Sequence, residues 1–387
     1  MARKSRRRGR GEGSVFQRKD GRWVVQVELG DGKRKQFYVT SQSEGIKKLR
    51  EVQHELEQGT LPTGPQQTVR QYLQYWLEEV HRPTLFVGTY VKYRVFVYKH
   101  LIPALGHLRL QKLTPQHVQS LYRQKEQELS PGTIRLMHSV LRKALDTAVR
   151  WNLLARNVCD VVSPPREEKR EMQTLTVEQA HKLLALVREH RLEMLLTMAL
   201  VTGMRRGELL ALRWSRVDLE GQSVHVSRTV GYVTGYGYVE AEPKTTAGKR
   251  VVMLPSFVVD MLRQHRAQQQ EARLRVGSAW EDRDLVFVNR RGGYLNPAYL
   301  LVVFKKVLAQ AGLPHMRFHD LRHSAATILL SMNVHPKIVQ EILGHSDISM
   351  TLNIYSHVVP SMQSGAVGKW EEEFRPNHQD GEETGNI

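Results

Sequence analysis

Two short runs constrain the chain more than any other feature. Leu61-Pro62-Thr63-Gly64-Pro65 and Ser163-Pro164-Pro165 place prolines within a few residues of one another. Proline fixes φ and removes a backbone donor, and the residue before it is pushed out of the helical region. Neither run can lie inside a helix or a central strand, so both read as linkers. The 387 residues suffice for two or three domains. The linkers predict three, at 1–60, 66–160 and 172–366, followed by an acidic, polar tail at 367–387 that frays.

The first segment opens with six Lys/Arg and no acid in its first ten residues. Arg3, Lys4, Arg6, Arg7 and Arg8 are candidates for phosphate contact by counterion release, though a solvated tail has the same composition. Val25, Val27 and Leu29 alternate with Val24, Gln26 and Glu28, a strand pattern. Gly30-Asp31-Gly32 supplies a hairpin turn. Lys33 to Thr40 returns as a second strand carrying Lys33, Arg34 and Lys35, and Ile46, Leu49, Val52 and Leu56 recur at helical spacing, with Gly59 as a stop. A basic sheet backed by a helix can enter a DNA groove or bind a protein.

The middle segment reads as all helix. Thr114-Pro115 and Ser130-Pro131 are helix starts with proline at the first helical position. Ile134, Met137, Leu141, Ala144, Leu145 and Ala148 form one apolar stripe, which predicts core. Arg135, Arg142 and Lys143 then fall on another face as candidate DNA contacts. The single cysteine, Cys159, reads as a packing residue. In the last segment Thr176 and Gln179 form a capping-box pattern, and short strands are expected at Val224–Val226, Val251–Leu254 and Leu285–Val288 among helices.

Charge narrows the partners. The 57 Lys+Arg against 39 Asp+Glu leave +18, which favours a polyanion, nucleic acid foremost. One cysteine excludes an internal disulfide and a cysteine-based zinc site. The most apolar run, Met194 to Val201, is far shorter than the ~18 residues a membrane span needs. The basic N-terminus lacks the apolar segment of a secretory signal. These features predict a chain of the reducing cytosol, away from membranes.

Four segments carry chemistry. Arg205 and Glu208, in Thr202-Gly203-Met204-Arg205-Arg206-Gly207-Glu208, are spaced to share a helix face. Alone they would make a surface ion pair worth at most ~1 kcal/mol. Glu242 to Arg250 reads as a turn between two strands, with Lys244 near its tip. His319-Asp320-Leu321-Arg322-His323 places His319 and Arg322 three apart on a helix anchored by Ala325, Ala326, Ile328, Leu329 and Leu330. His319 and His323 also have the spacing of a zinc pair, but the glutamate that the zinc motif places after its first histidine is Asp320 here, and Arg322 adds positive charge. No metal is expected. Leu343-Gly344-His345-Ser346 through Tyr355 reads as the end of one helix (Val334 to Leu343) and a second helix (Ile348 to Tyr355) bearing a tyrosine.

In this order the four segments resemble the tyrosine recombinase family, the phage integrases, whose pattern is Arg, Lys, His-x-x-Arg, His/Trp, Tyr. The matching residues are Arg205, Lys244, His319, Arg322, His345 and Tyr355. The resemblance spans roughly 174–360. Residues 68–158 look like the helical core-binding (SAM-like) domain of that family, and the first module like its three-stranded arm-binding domain.

The resemblance implies a multidomain fold: a small three-stranded β-sheet plus helix, an all-α core-binding domain, and a mixed α+β, mostly helical catalytic domain. It implies a site-specific DNA recombinase in which Tyr355 attacks the scissile phosphate to form a 3′-phosphotyrosine. Arg205 and Arg322 would clamp the phosphate, His345 and His319 would assist, Lys244 would protonate the leaving 5′-oxygen, and Glu208 would orient its neighbours. No cofactor is implied. The implied partners are double-stranded DNA at core and arm-type sites, three further copies in a homotetramer, a host DNA-bending protein and a directionality factor. The implied setting is the cytoplasm of a bacterial host. A non-catalytic regulator with the same fold, or a type IB topoisomerase, would share much of this pattern.

Overall fold

The structure, a computed structural model, describes residues 13–28, 34–57, 67–167, 173–243, 246–344, 347–349, 351–352 and 374. It divides into two compact units, Met1–Lys169 and Arg170–Ile387.

In the first unit, β1 (Ser14–Gln17), β2 (Trp23–Glu28) and β3 (Arg34–Val39) form an antiparallel sheet in that order. The alternation around Val25 and Val27 makes β2 the central strand: Val25 and Val27 are buried and stand opposite Phe37 and Lys35. Helix α1 (Gln42–Glu57) covers this face with Val52. The expected turn at Gly30–Gly32, Lys33 and Gly59 lie outside the described residues.

The helical part of this unit contains α2 (Val69–Tyr75), α3 (Val87–Val95), α4 (Ile102–Leu105), α5 (Pro115–Lys125) and α6 (Pro131–Arg150). π-helical turns at Trp76–His81 and Phe96–Leu101 extend α2 and α3. Its helix starts are those the residues predict. The Thr114 hydroxyl accepts from the His117 amide, and Ser130 accepts from Thr133. Such caps satisfy donors that the first helical turn otherwise leaves open. The six apolar residues of the α6 stripe are all buried, and Cys159 packs beside them in the same core.

The second unit is built around α8 (Glu193–Thr202), which follows α7 (Val177–Leu186). Every residue from Met194 to Leu200 is buried. A helix apolar on all sides belongs at the centre of a core, and this placement accounts for the most apolar run of the chain. The capping box of Thr176 and Gln179 opens α7 as expected. Next come α9 (Arg206–Leu210), β4 (Val217–Asp218), β5 (Ser223–Val226), β6 (Thr229–Val233), β7 (Gly237–Ala241) and β8 (Arg250–Met253). The unit then runs through α10 (Ser256–Val276), α11 (Pro297–Gln310), α12 (Asp320–Ser331) and α13 (Pro336–Leu343).

The strands form two sheets, β4-β5-β8 and the β6-β7 hairpin. Three sequence expectations change here. Leu285–Val288 is not a strand. Leu285 and Val288 make single bridges to two different segments, at Arg213 and Tyr294, so no one neighbour runs alongside for a continuous ladder. The β6-β7 hairpin stands between β5 and the segment of Lys244, so the turn at Glu242–Arg250 joins two sheets rather than the arms of one hairpin. Finally, α13 begins at Pro336, two residues later than expected, where His335 accepts from the Lys337 amide. Among the described residues no helix is long and apolar enough to cross a membrane.

Candidate active site

Gly203 ends α8 with φ +58°, and a Cβ there would stand 2.1 Å from Leu343 Cδ2. Only glycine allows both the left-handed turn and this approach. The turn delivers Arg205, which is the extended N-cap residue of α9 rather than a residue on its face. Arg205 Nη1 donates to Glu208 Oε1 at 2.7 Å, and the Arg205 amide donates to Glu208 Oε2 at 3.0 Å.

The pair is not the surface interaction that the spacing alone suggested. Glu208 is 3% exposed, and its Oε2 also accepts from Arg250 Nη2 at 3.1 Å. Burial works to raise the Glu208 pKa, but Arg250, and then Arg205, outweigh it and hold the carboxyl below its ordinary value.

Helix α12 packs on α8 and supplies the second guanidinium. Asp320 opens the helix from a buried position and ties down the preceding segment, accepting from the amide and guanidinium of Arg317. Ser324 accepts from the Leu175 amide and ties α12 to the start of the unit. Arg322 is 3% exposed and donates through Nη1 to the Gly203 carbonyl at 2.8 Å. Its Nη2 is buried and has no hydrogen-bond partner among the described residues. Burial, reinforced by Arg205 and Arg250, pushes its pKa down to about 9, so it remains a cation at neutral pH.

His319 immediately precedes α12 and stands edge to face with His323, ring centroids 5.4 Å apart. Desolvation, then His323, Arg322 and Arg205, lower its pKa to about 4. It is therefore a neutral imidazole at pH 7, able to accept a proton. Among the described residues no three His, Cys, Asp or Glu side chains cluster as a metal site.

The sequence reading missed Arg250. Its side chain is 7% exposed, and it bonds to the Ile342 carbonyl through Nε at 2.7 Å as well as to Glu208. The available signal was a basic residue opening an otherwise apolar strand. Arg205 Nη2 reaches the Gly344 carbonyl at 3.3 Å, so the C-terminal end of α13 borders the same pocket. Lys244, His345 and Tyr355 lie outside the described residues, as do Arg3, Lys4, Arg6, Arg7 and Arg8. Arg34 and Lys35 stand on β3, with Lys35 Nζ 5.6 Å from the Phe37 ring centroid. Arg135, Arg142 and Lys143 share the exposed face of α6; Arg142 pairs with Asp160 at 2.9 Å.

The described pocket holds one carboxylate and three guanidiniums, one of which keeps an unpaired buried donor. Such a site is suited to a tetrahedral anion.

Comparison with known proteins agrees. Residues 173–362 match the model of the phage integrase family, and residues 68–127 match that of the phage integrase N-terminal SAM-like domain. A tyrosine recombinase XerC-like protein of Caldanaerobacter subterraneus subsp. tengcongensis is 33% identical over 354 residues, covering 86% of this chain and 90% of that protein. The chain belongs to the phage integrase family. This integrase is a site-specific DNA recombinase, a tyrosine recombinase that cleaves DNA and transfers strands. Its fold is that of the Tn1549 transposon integrase in complex with transposon right end DNA (TM-score 0.66, 22% identity, 77% of this chain and 98% of that one). It is also that of the lambda integrase tetramer bound to a Holliday junction (TM-score 0.55, 17% identity, 90% and 96%).

Proposed function

We propose that this integrase inserts and excises a phage or other mobile element, with Tyr355 as nucleophile. The tyrosine oxygen attacks the scissile phosphorus, and the bond from phosphorus to the 5′-oxygen breaks. A 3′-phosphotyrosine and a free 5′-hydroxyl result, and the 5′-hydroxyl of a partner strand reverses the step. The covalent link conserves the phosphodiester energy, so no energy cofactor is required.

Arg205 and Arg322 hold the non-bridging oxygens, where negative charge accumulates in the transition state. His345 adds a donor. Neutral His319 accepts the Tyr355 proton or donates to the phosphate. Lys244 protonates the departing 5′-oxygen, and Glu208 orients Arg205. The observation that carries this reading is the buried Arg322 guanidinium, held beside Arg205 with one nitrogen unpartnered among the described residues. A buried cation with an open donor is costly unless an anion completes it.

In this reading residues 172–366 form the catalytic domain and 66–160 the core-binding domain. Residues 1–60 form an arm-type DNA-binding module whose basic tail and β3 residues contact phosphate, and 367–387 form an acidic tail. The enzyme works as a homotetramer on double-stranded DNA in the bacterial cytoplasm, at core and arm-type sites. A host DNA-bending protein and a directionality factor assist it. The lambda integrase tetramer on a Holliday junction supports this assembly.

Covalent trapping on nicked duplexes that tile the DNA flanking the gene tests the reading. Mass spectrometry is expected to place the adduct on Tyr355, and Tyr355→Phe is expected to bind DNA without forming it. An adduct that persists in Tyr355→Phe would overturn the assignment.

A further inference from the structure

Arg250 differs from the two arginines of the clamp in how its donors are spent. Arg322 has one nitrogen without a partner among the described residues, and the Arg205 side chain is 39% exposed. The Arg250 side chain is 7% exposed, and each of its three nitrogens faces the protein. Nε donates to the Ile342 carbonyl at 2.7 Å, Nη2 to Glu208 Oε2 at 3.1 Å, and Nη1 to the Gly248 carbonyl at 3.4 Å. Three of its five N–H groups are thus spent on the protein. It does touch three separate stretches of chain. Glu208 holds Arg205, Ile342 closes the helix that leads into His345, and Gly248 lies four residues beyond Lys244.

The contact is close on every side. A Cβ on Gly344 would stand 2.9 Å from Arg250 Cδ and 2.6 Å from the Ala247 carbonyl. Gly344 has φ +69°, so this segment presses its bare backbone against both the arginine and the loop. Within the loop, a Cβ on Gly248 would stand 2.5 Å from Pro243 Cβ. Gly248 thus lies against Pro243, and the buried side chain of Arg250 bonds to the Gly248 carbonyl.

We propose that Arg250 is a positioning residue for the leaving-group step: it holds the loop that carries the general acid against the segments that carry Arg205 and His345. This rests on the reading of Lys244 as that acid. Arginine suits the task because its planar fork makes several bonds in fixed directions, whereas lysine is a point charge on a flexible stem.

The test is single-turnover cleavage of a core-site duplex and of the same duplex with sulfur in place of the bridging 5′-oxygen. A thiolate is a far better leaving group than an alkoxide, with a thiol pKa of about 8.5, so loss of the acid costs little on the sulfur substrate. Arg250→Gln is expected to slow cleavage of the ordinary duplex about 100-fold, the size of effect that misplacing a group by about 1 Å produces. On the sulfur substrate the loss is expected to fall below about tenfold. If Arg250→Gln does not fold by circular dichroism, Arg250→Lys is measured on the same two substrates by the same criterion.

Lys244→Ala is run in parallel. Rescue of both variants supports the proposal. Rescue of Lys244→Ala alone overturns it, because Arg250 then acts elsewhere. Rescue of the Arg250 variant alone keeps the positioning role and transfers the acid to another group on the loop. Rescue of neither overturns both the lysine assignment and the proposal.

Discussion

Arg322 and Gly203 are joined by a 2.8 Å hydrogen bond between residues 119 positions apart in the chain. The bond fixes the buried guanidinium of α12 to the turn that presents Arg205 two residues later. One Arg322 nitrogen is thereby committed to structure, and another has no partner among the described residues. Lysine cannot do both. Arg322→Lys is expected to lower the single-turnover cleavage rate by about 100- to 1000-fold, the usual loss when one preorganised donor is removed. Core-site affinity, measured by noncovalent gel shift, is expected to change little. A cleavage rate near wild type would remove Arg322 from the clamp.

Glu208 balances two arginines from a buried position. Glu208→Gln leaves those cations without their carboxylate and is expected to destabilise the fold by about 3 kcal/mol at pH 7, read as a lower urea midpoint. The folded pKa lies below the ordinary 4.5, so the stabilisation is fully present above that value. It is lost as pH falls from there through the folded value. The gap between wild type and variant is therefore expected to narrow below about pH 4.5; a gap that is constant with pH would mean the charge of Glu208 is not what matters.

His319 titrates in the opposite sense to a stabilising cation. Its folded pKa is about 4 against an ordinary 6.5, so the unfolded chain takes up the proton first as the solution is acidified. Stability is lost between pH 6.5 and about 4. His319→Asn is expected to lose less stability than wild type over that window in denaturation at pH 7.5 and pH 5. Parallel losses would show that His319 is not the desolvated group described here.

On α6, Arg135 and Arg142 are both exposed, but among the described residues only Arg142 is paired with an acid, Asp160. If this face meets phosphate, Arg135→Ala should weaken binding at all sequences and reduce the salt slope of log K by about 1. Arg142→Ala should reduce it less, because Asp160 already neutralises part of its charge. Equal slopes for wild type and Arg135→Ala would take this face off the DNA.

The residues that announce helix starts were legible because their physics is local. Thr114, Ser130 and Thr176 each accept from an amide three residues on, and no distant neighbour is needed to read that. The apolar stripe of α6 was legible for the same reason, since helical period alone puts Ile134, Met137 and Leu141 on one side. Leu285–Val288 was misread because a strand exists only through its partner. The β6-β7 hairpin was missed on similar grounds, and for Arg250 the local signal, a basic residue opening an apolar strand, does not reveal burial, which depends on Glu208 and Ile342.

The order of Arg205, Lys244, His319, Arg322, His345 and Tyr355 is a property of the sequence alone, and it determined the family and the kind of chemistry to expect. Their working state is not. That Arg322 is buried against Gly203 and that Arg250 is bonded to Glu208 and Ile342 depend on neighbours brought from 42 to 119 residues away. Burial and Coulomb interaction act through space, so only the tertiary structure could decide which of the chain's many arginines hold the site together and which are left to hold a phosphate.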